Sequence, residues 1–103
     1  MSEDGKCRLT ITGWIKTVEW LQWFDFVAEP GGELISDGHQ RGSIECLSIL
    51  SGELEVECAD IVEYGRAGET LRYRCDRRHI IRNTSSEPAQ ATMVCLLKAA
   101  VLD

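Results

Sequence analysis

The sequence lacks the long apolar run and the leader segment that would direct it to a membrane or across one. Hydrophobic residues make up 44% of the 103 positions, yet no window approaches the roughly 18 uninterrupted apolar residues that a membrane helix requires. Residues 1–6 are polar and acidic, without the basic end and apolar stretch of a secretory signal peptide. We therefore expect a soluble cytoplasmic protein that does not engage membranes.

Paired cysteines are missing as well. The five cysteines are odd in number, and no two of them form a C-x-x-C pair. This pattern favours reduced thiols that act as packing residues over a disulfide framework or a structural zinc site. A functional thiol is the alternative for Cys46 and Cys75, which flank candidate site residues.

An excess of positive charge is also absent, since the formal net charge is −6. Binding to nucleic acid depends mostly on lysine and arginine neutralising the phosphate backbone. We therefore expect no contact with nucleic acid by this chain alone. The sequence also shows no hydrolase triad and no glycine-rich phosphate loop before a helix.

The segments that are present read as short strands. Apolar and polar residues alternate, and turn residues recur about every ten positions, which is typical of an all-β sandwich or barrel. A helix over residues 15–26 is the main alternative, but the aromatic and β-branched residues of Trp20–Val27 favour a strand. We predict a loose segment over residues 1–6 and one domain over residues 7–103.

The alternation predicts which side chains form the interior. Glu45, Leu47 and Ile49 share one strand face, and His79, Ile81 and Asn83 share another. In residues 53–57 the glutamates are expected to face water and the apolar residues to face the core. The predicted core residues are Leu47, Ile49, Leu54, Val56, Leu71, Ile81 and Val94.

Both histidines of the chain occur in patterns that resemble the two cupin motifs. His39 precedes Glu45, and six residues separate Glu45 from Gly52, as in the first motif. His79 is followed after three residues by Asn83, as in the second. The resemblance implies a single cupin barrel, a double-stranded β-helix or jelly roll of antiparallel strands.

Three residues depart from the cupin pattern. Arg41 stands where the second histidine of the first motif would be, and Arg74 and Asp76 replace the proline and glycine of the second motif. Four stretches resemble a narrower group, the C-terminal sensor domains of bacterial transcription regulators with an N-terminal helix-turn-helix. These stretches are His39–Glu45, Leu50–Val56, Ala67–Tyr73 and Asp76–His79. The chain itself contains no helix-turn-helix.

The resemblance implies a pocket around His39, Glu45 and His79. Two imidazoles and a carboxylate suit a divalent transition metal such as zinc, iron, manganese or nickel. Arg41 cannot lose its proton to become a ligand, and its charge opposes a nearby cation. It could instead bind an anion together with His39 and His79, since a guanidinium offers paired hydrogen bonds to a carboxylate or phosphate.

Three functions follow as hypotheses. The first is a regulatory domain that binds a small polar or anionic metabolite. The second is a metal-dependent cupin enzyme of the isomerase or dioxygenase type. The third is a purely structural dimerisation module. We also predict a homodimer, because the tryptophans and phenylalanines of Trp20–Phe26 exceed what a small barrel interior can hold.

Overall fold

The computed structural model describes residues 5–11, 21–38 and 42–96, and every regular element in these ranges is a β-strand. No described segment is a helix that is long and apolar enough to cross a membrane. The nine strands are β1 Cys7–Ile11, β2 Leu21–Ala28, β3 Glu33–Ser36, β4 Ile44–Ser51, β5 Glu53–Cys58, β6 Ile61–Arg66, β7 Thr70–Arg74, β8 His79–Arg82 and β9 Ala89–Leu96.

The strands form two antiparallel sheets that enclose one core. The five-stranded sheet has the order β1-β2-β9-β4-β7, and the four-stranded sheet has the order β3-β8-β5-β6. Only β1–β2 and β5–β6 pair as neighbours in sequence, so the chain crosses repeatedly between the sheets. The all-β antiparallel architecture predicted from the sequence is confirmed.

Strict alternation in the central strands builds the core. In β4 every second residue is buried from Glu45 to Ile49, and β9 alternates in the same way from Ala89 to Cys95. Six of the seven predicted core residues are buried: Leu47, Ile49, Leu54, Val56, Leu71 and Ile81. The prediction for Val94 is wrong, because Met93 and Cys95 on either side of it face inward and Val94 is only half-buried.

The aromatic segment is a strand where the structure describes it, which excludes the helical alternative for residues 21–26. Phe26 is fully buried, and Phe24 packs against the core from the same face of β2. Trp23 points to the opposite face and is 50% exposed. Residues 12–20, which include the start of the alternative helix, lie outside the described residues.

One glutamate departs from the predicted alternation of β5. Glu55 is buried although its side chain lies on the outer face of the four-stranded sheet. Arg82 covers it and donates hydrogen bonds to Glu55 Oε2 at 2.8 Å, to Glu57 Oε1 at 2.9 Å and to Glu33 Oε2 at 2.7 Å. The ion-pair network removes Glu55 from water, which alternation alone does not anticipate.

Two glycines are required where the chain approaches itself closely. Gly52 in the β4–β5 turn has a φ of +80°, and a Cβ there would lie 2.6 Å from the carbonyl oxygen of Pro88. A Cβ on Gly65 would collide with Ile49 and Leu71 of the other sheet. Gly65 lies inside β6, and its missing side chain lets the two sheets approach each other.

Candidate functional site

The candidate site is centred on β4, which lies between β7 and β9. Ser43 and Glu45 share the inward face of this segment with Leu47 and are buried. Tyr73 of β7 and Cys95 of β9 are the cross-strand partners of Glu45. Because directly opposite residues point to the same face of a sheet, the register itself brings these side chains to the carboxylate.

One oxygen of Glu45 faces the four-stranded sheet. The hydroxyl of Tyr73 donates a hydrogen bond to Glu45 Oε1 at 2.6 Å, and His79 Nε2 lies 3.5 Å from the same oxygen. The rings of Tyr73 and His79 are tilted against each other with centroids 5.5 Å apart. His79 Nδ1 lies 2.9 Å from the carbonyl oxygen of Arg77, so the second ring nitrogen is fixed as well.

The other oxygen of Glu45 faces two thiols. Cys95 Sγ donates to Glu45 Oε2 at 3.2 Å. Cys75 completes a group in which one donor atom from each of these three residues lies within 4.8 Å of the others. Glu45, Cys75 and Cys95 are all at most 2% exposed. The carboxylate therefore separates a tyrosine and histidine side from a thiol side.

Burial and pairing compete in setting the protonation of this cluster. Burial alone would raise the pKa of Glu45, but the hydrogen bonds from His79 and Tyr73 outweigh it and hold this pKa below the ordinary 4.5. Burial would lower the pKa of His79, but Glu45 and the Arg77 carbonyl raise it above 6.5. Burial and the Glu45 charge hold the pKa of Tyr73 well above 10. The pair therefore favours a carboxylate beside an imidazolium.

Ser43 adds an unsatisfied polar atom to the same face. Its side chain is fully buried, and its Oγ has no hydrogen-bond partner among the described residues. A buried hydroxyl without a partner is uncommon in native proteins and costs about 1–3 kcal/mol. Ser43 is therefore a buried hydrogen-bonding group two residues from Glu45 on the same inward face.

The structure brings together two of the sequence-predicted site residues, Glu45 and His79. His39 and Arg41 lie outside the described residues. Sequence reasoning missed Ser43, Tyr73 and Cys95. Ser43 could have been found by alternation from Glu45, whereas Tyr73 and Cys95 depend on a strand register that no local pattern specifies.

Two departures from the cupin pattern, Arg74 and Asp76, interact with each other beside the site. Arg74 Nη2 donates to Asp76 Oδ2 at 2.7 Å, and the backbone N–H of Gly42 donates to the same oxygen at 2.7 Å. The Gly42 and Arg74 hydrogen bonds hold the pKa of Asp76 far below 3.8. The segment after β7 is thus tied to the residue that directly follows residues 39–41.

A cleft of about 200 Å³ opens between β5–β6 and β7. Its walls include Val56, Ile61 and Leu71, and Arg72, Arg74 and Arg77 also line it. Tyr73 contributes to this cleft and also donates to Glu45. Tyr73 therefore links the buried cluster to the cleft.

Comparison with known proteins identifies the family. A family model described as a cupin domain matches residues 24–95, which is most of the chain and includes Glu45 and His79. The chain belongs to the cupin domain family. Its two antiparallel sheets are those of the cupin barrel, as the motif spacing predicts.

Solved cupin structures share this fold. The chain superposes with a TM-score of 0.80 and 25% identity on the Cupin_2 domain of an XRE family transcriptional regulator from Enterobacter cloacae, covering 88% of this chain and 96% of that one. A Cupin 2 conserved barrel domain protein from Salinispora arenicola gives a TM-score of 0.71 and 22% identity, covering 92% and 79%. No curated protein matches the chain.

A longer regulator also contains the fold. An HTH_3 family transcriptional regulator from Vibrio cholerae gives a TM-score of 0.78 at 19% identity, covering 88% of this chain. The match covers 51% of that regulator, so the present chain corresponds to about half of its length.

Proposed function

We propose that this cupin domain binds a small polar or anionic metabolite in its interior and acts as a regulatory sensor module. The observation that carries this proposal is the buried cluster between the sheets, in which Glu45 and Tyr73 of the five-stranded sheet meet His79 of the four-stranded sheet. His79, together with His39 and Arg41, would bind the ligand.

A contribution to stability does not by itself explain the buried cluster. Moving a carboxylate and an imidazolium out of water costs several kcal/mol per ion, and their mutual attraction often fails to offset this cost. Glu45 and His79 are each only 2% exposed, so both bear the full desolvation penalty. Buried titratable pairs with shifted pKa values concentrate at functional sites, and this pair is better explained by binding.

Ser43 supports a ligand on the inner face of β4. Its buried Oγ could donate to or accept from a bound molecule and would then be satisfied. Glu45 raises the pKa of His79, and the two side chains form a buried ion pair to which a strongly polar group of a ligand could hydrogen-bond. The cleft beside Tyr73 would leave room for an apolar part of the ligand.

The regulatory part of the proposal rests on similarity to the regulator domain from Enterobacter cloacae. Such a domain would pass its signal to a separate DNA-binding partner through a homodimer, without contacting nucleic acid itself. We place the domain at residues 7–103, after a loose segment over 1–6, in the cytoplasm.

A thermal-shift screen of small carboxylates, phosphates and neutral polar metabolites tests the proposal. We expect at least one compound to raise the melting temperature of the wild type, and His79→Ala to abolish that rise. Arg78→Ala is the matched control, because Arg78 precedes His79 in the chain and is exposed. The proposal is wrong if no compound binds, or if the hit stabilises His79→Ala as strongly as the wild type.

A metal-dependent cupin enzyme is the second candidate. The approach of His79 Nε2 to Glu45 Oε1 at 3.5 Å favours it, since these side chains could hold zinc, iron, manganese or nickel together with His39. Such an ion would supply Lewis-acid or oxygen chemistry. Elemental analysis after purification without tags or chelators separates the candidates: a stoichiometric ion lost in His79→Ala supports the enzyme.

A further inference from the structure

The thiol side of Glu45 is built from two strands that flank β4. Cys95 lies in β9 directly opposite Glu45, and Cys75 follows β7, where its backbone N–H bonds the carbonyl oxygen of Ser43 at 2.9 Å. Cys75 and Cys95 are 0% and 1% exposed. Both are free thiols.

A disulfide does not explain this pair. Cys75 and Cys95 belong to segments on opposite sides of β4, so their backbones are separated by two strand spacings, roughly 9–10 Å. A disulfide requires Cα atoms within about 7 Å of each other. Bridging them would force one of the two segments away from β4.

Simple packing does not explain the pair either. A thiol is a weak donor, and an apolar side chain at position 95 would fill the space without facing a carboxylate. Instead Cys95 Sγ is aimed at Glu45 Oε2 from 3.2 Å, with Cys75 Sγ in the same group. Two sulfurs and one carboxylate oxygen thus converge in an enclosed part of the interior.

This geometry is close to that of a metal site. In a tetrahedral zinc site with Zn–S bonds of about 2.3 Å, two sulfurs lie about 3.8 Å apart. The three donor atoms lie within 4.8 Å of one another, so a contraction of about 1 Å or less would close the site. Thiolates with one carboxylate favour a borderline, thiophilic divalent ion over magnesium or calcium.

We propose that Cys75, Cys95 and Glu45 bind a thiophilic divalent ion of the zinc class, with the fourth position open to water or to a ligand. The site uses Glu45 and two sulfurs, so it shares Glu45 with the cluster that carries the proposed function but does not need a ligand at His79, His39 and Arg41. The inference therefore goes beyond the proposed function and does not rest on it.

Cobalt titration of the reduced, metal-stripped full chain tests the site, because thiolate ligation gives an intense charge-transfer band in the near ultraviolet. We expect this band in the wild type, competed away by one equivalent of zinc, and absent from Cys75→Ser/Cys95→Ser. It should persist in Cys46→Ser, the matched control, since Cys46 lies on the opposite face of β4 next to Glu45. It should also persist in His79→Ala, which separates this site from the proposed pocket.

Cadmium NMR of the wild type reports the number of bound sulfurs without any substitution, so the test does not depend on the double variant folding. Two sulfurs are expected. The proposal is overturned by a wild type that shows no thiolate band, by a band that survives the double substitution, or by a band that is lost in Cys46→Ser or in His79→Ala.

Discussion

At the scale of single residues, Ser43 is the clearest case of a side chain that the fold does not need. Its Oγ is buried without a partner among the described residues, while Ser48 on the outer face of β4, which begins directly after Ser43, bonds Thr70 Oγ1 at 2.8 Å. Natural proteins keep such unsatisfied groups where binding uses them, at some cost in stability. A comparison of substitutions at Ser43 and Ser48 therefore distinguishes an effect on ligand binding from an effect on stability.

We predict that Ser43→Ala leaves the free energy of unfolding unchanged or raises it by about 1 kcal/mol, because it removes an unsatisfied buried hydroxyl. The same variant should bind the screened ligand about five- to tenfold more weakly, since one hydrogen bond is lost. Urea unfolding and calorimetric titration measure the two effects. Ser48→Ala should leave ligand affinity unaltered; clear destabilisation by Ser43→Ala, or equal affinity loss in both variants, contradicts the assignment.

The sequence could supply only part of this site. Glu45 and His79 follow from motif spacing, because that spacing reflects two strands whose inward residues converge. Tyr73 and Cys95 lie 28 and 50 positions from Glu45 and reach it through the β4–β7 and β4–β9 registers. Those registers are set by long-range packing, which a local pattern does not encode.

At the scale of elements, Arg82 links three strands of the four-stranded sheet. Its guanidinium bonds Glu33 of β3 and both Glu55 and Glu57 of β5. Glu55 contributes most of the stabilisation from this network, because its side chain is the least exposed of the three acids. Removing the cation would leave three neighbouring carboxylates without their shared partner.

We predict that Arg82→Met lowers the free energy of unfolding by about 1–3 kcal/mol at neutral pH, because charge-assisted hydrogen bonds to a part-buried acid are lost. Arg82 holds the pKa of Glu55 below 4.5. The stabilisation from this ion pair is therefore present above pH 4.5 and is lost as pH falls through the folded-state pKa of Glu55. In Arg82→Met, the free energy of unfolding should decrease less between neutral and acidic pH than it does in the wild type. Arg72→Met, on the exposed face of β7, should change stability by less than about 0.5 kcal/mol.

Asp76 connects two segments that both lead into the site. Its Oδ2 accepts the Gly42 N–H at 2.7 Å, and Gly42 directly precedes Ser43. We predict that Asp76→Ala makes the Gly42 amide exchange faster with solvent and weakens ligand binding, because the start of β4 loses its anchor. Hydrogen exchange by NMR measures the first effect. Asp60→Ala, in the exposed β5–β6 turn, should change neither quantity, and unchanged protection of Gly42 in Asp76→Ala would contradict the role.

The sequence predicts a strand well where inward-facing and outward-facing residues alternate along it. The shared face predicted for His79 and Ile81 is confirmed in β8, where both are buried and alternate with half-buried residues. Gly65, by contrast, lies inside β6, where it allows close packing between the sheets and does not bend the chain. A glycine alone does not distinguish these two uses.

At the scale of the whole molecule, the outer face of the five-stranded sheet carries an apolar patch at one end. Two cross-strand rows cover it. The first row runs through Leu21, Leu96 and Ile44, and the second runs through Trp23, Val94 and Cys46. The aromatic segment was predicted to supply a dimer surface, but Phe24 and Phe26 belong to the core, so Trp23, which is 50% exposed, is the aromatic of β2 on this outer face.

We predict that this outer face is the dimer interface, because tryptophan surrounded by aliphatic residues is typical of interface centres and the rest of the face is polar. Thr92 and Ser48 occupy the next row, followed by Gln90. Trp23→Arg places a charge among Leu21, Val94 and Leu96, which should dissociate the dimer without disturbing the core. Light scattering coupled to size exclusion should give a dimer mass for the wild type and a monomer mass for the variant.

Ile35→Arg is the matched control, because Ile35 is also 50% exposed but belongs to the four-stranded sheet. A monomeric wild type, or dissociation by Ile35→Arg and not by Trp23→Arg, would show that this face is not the interface.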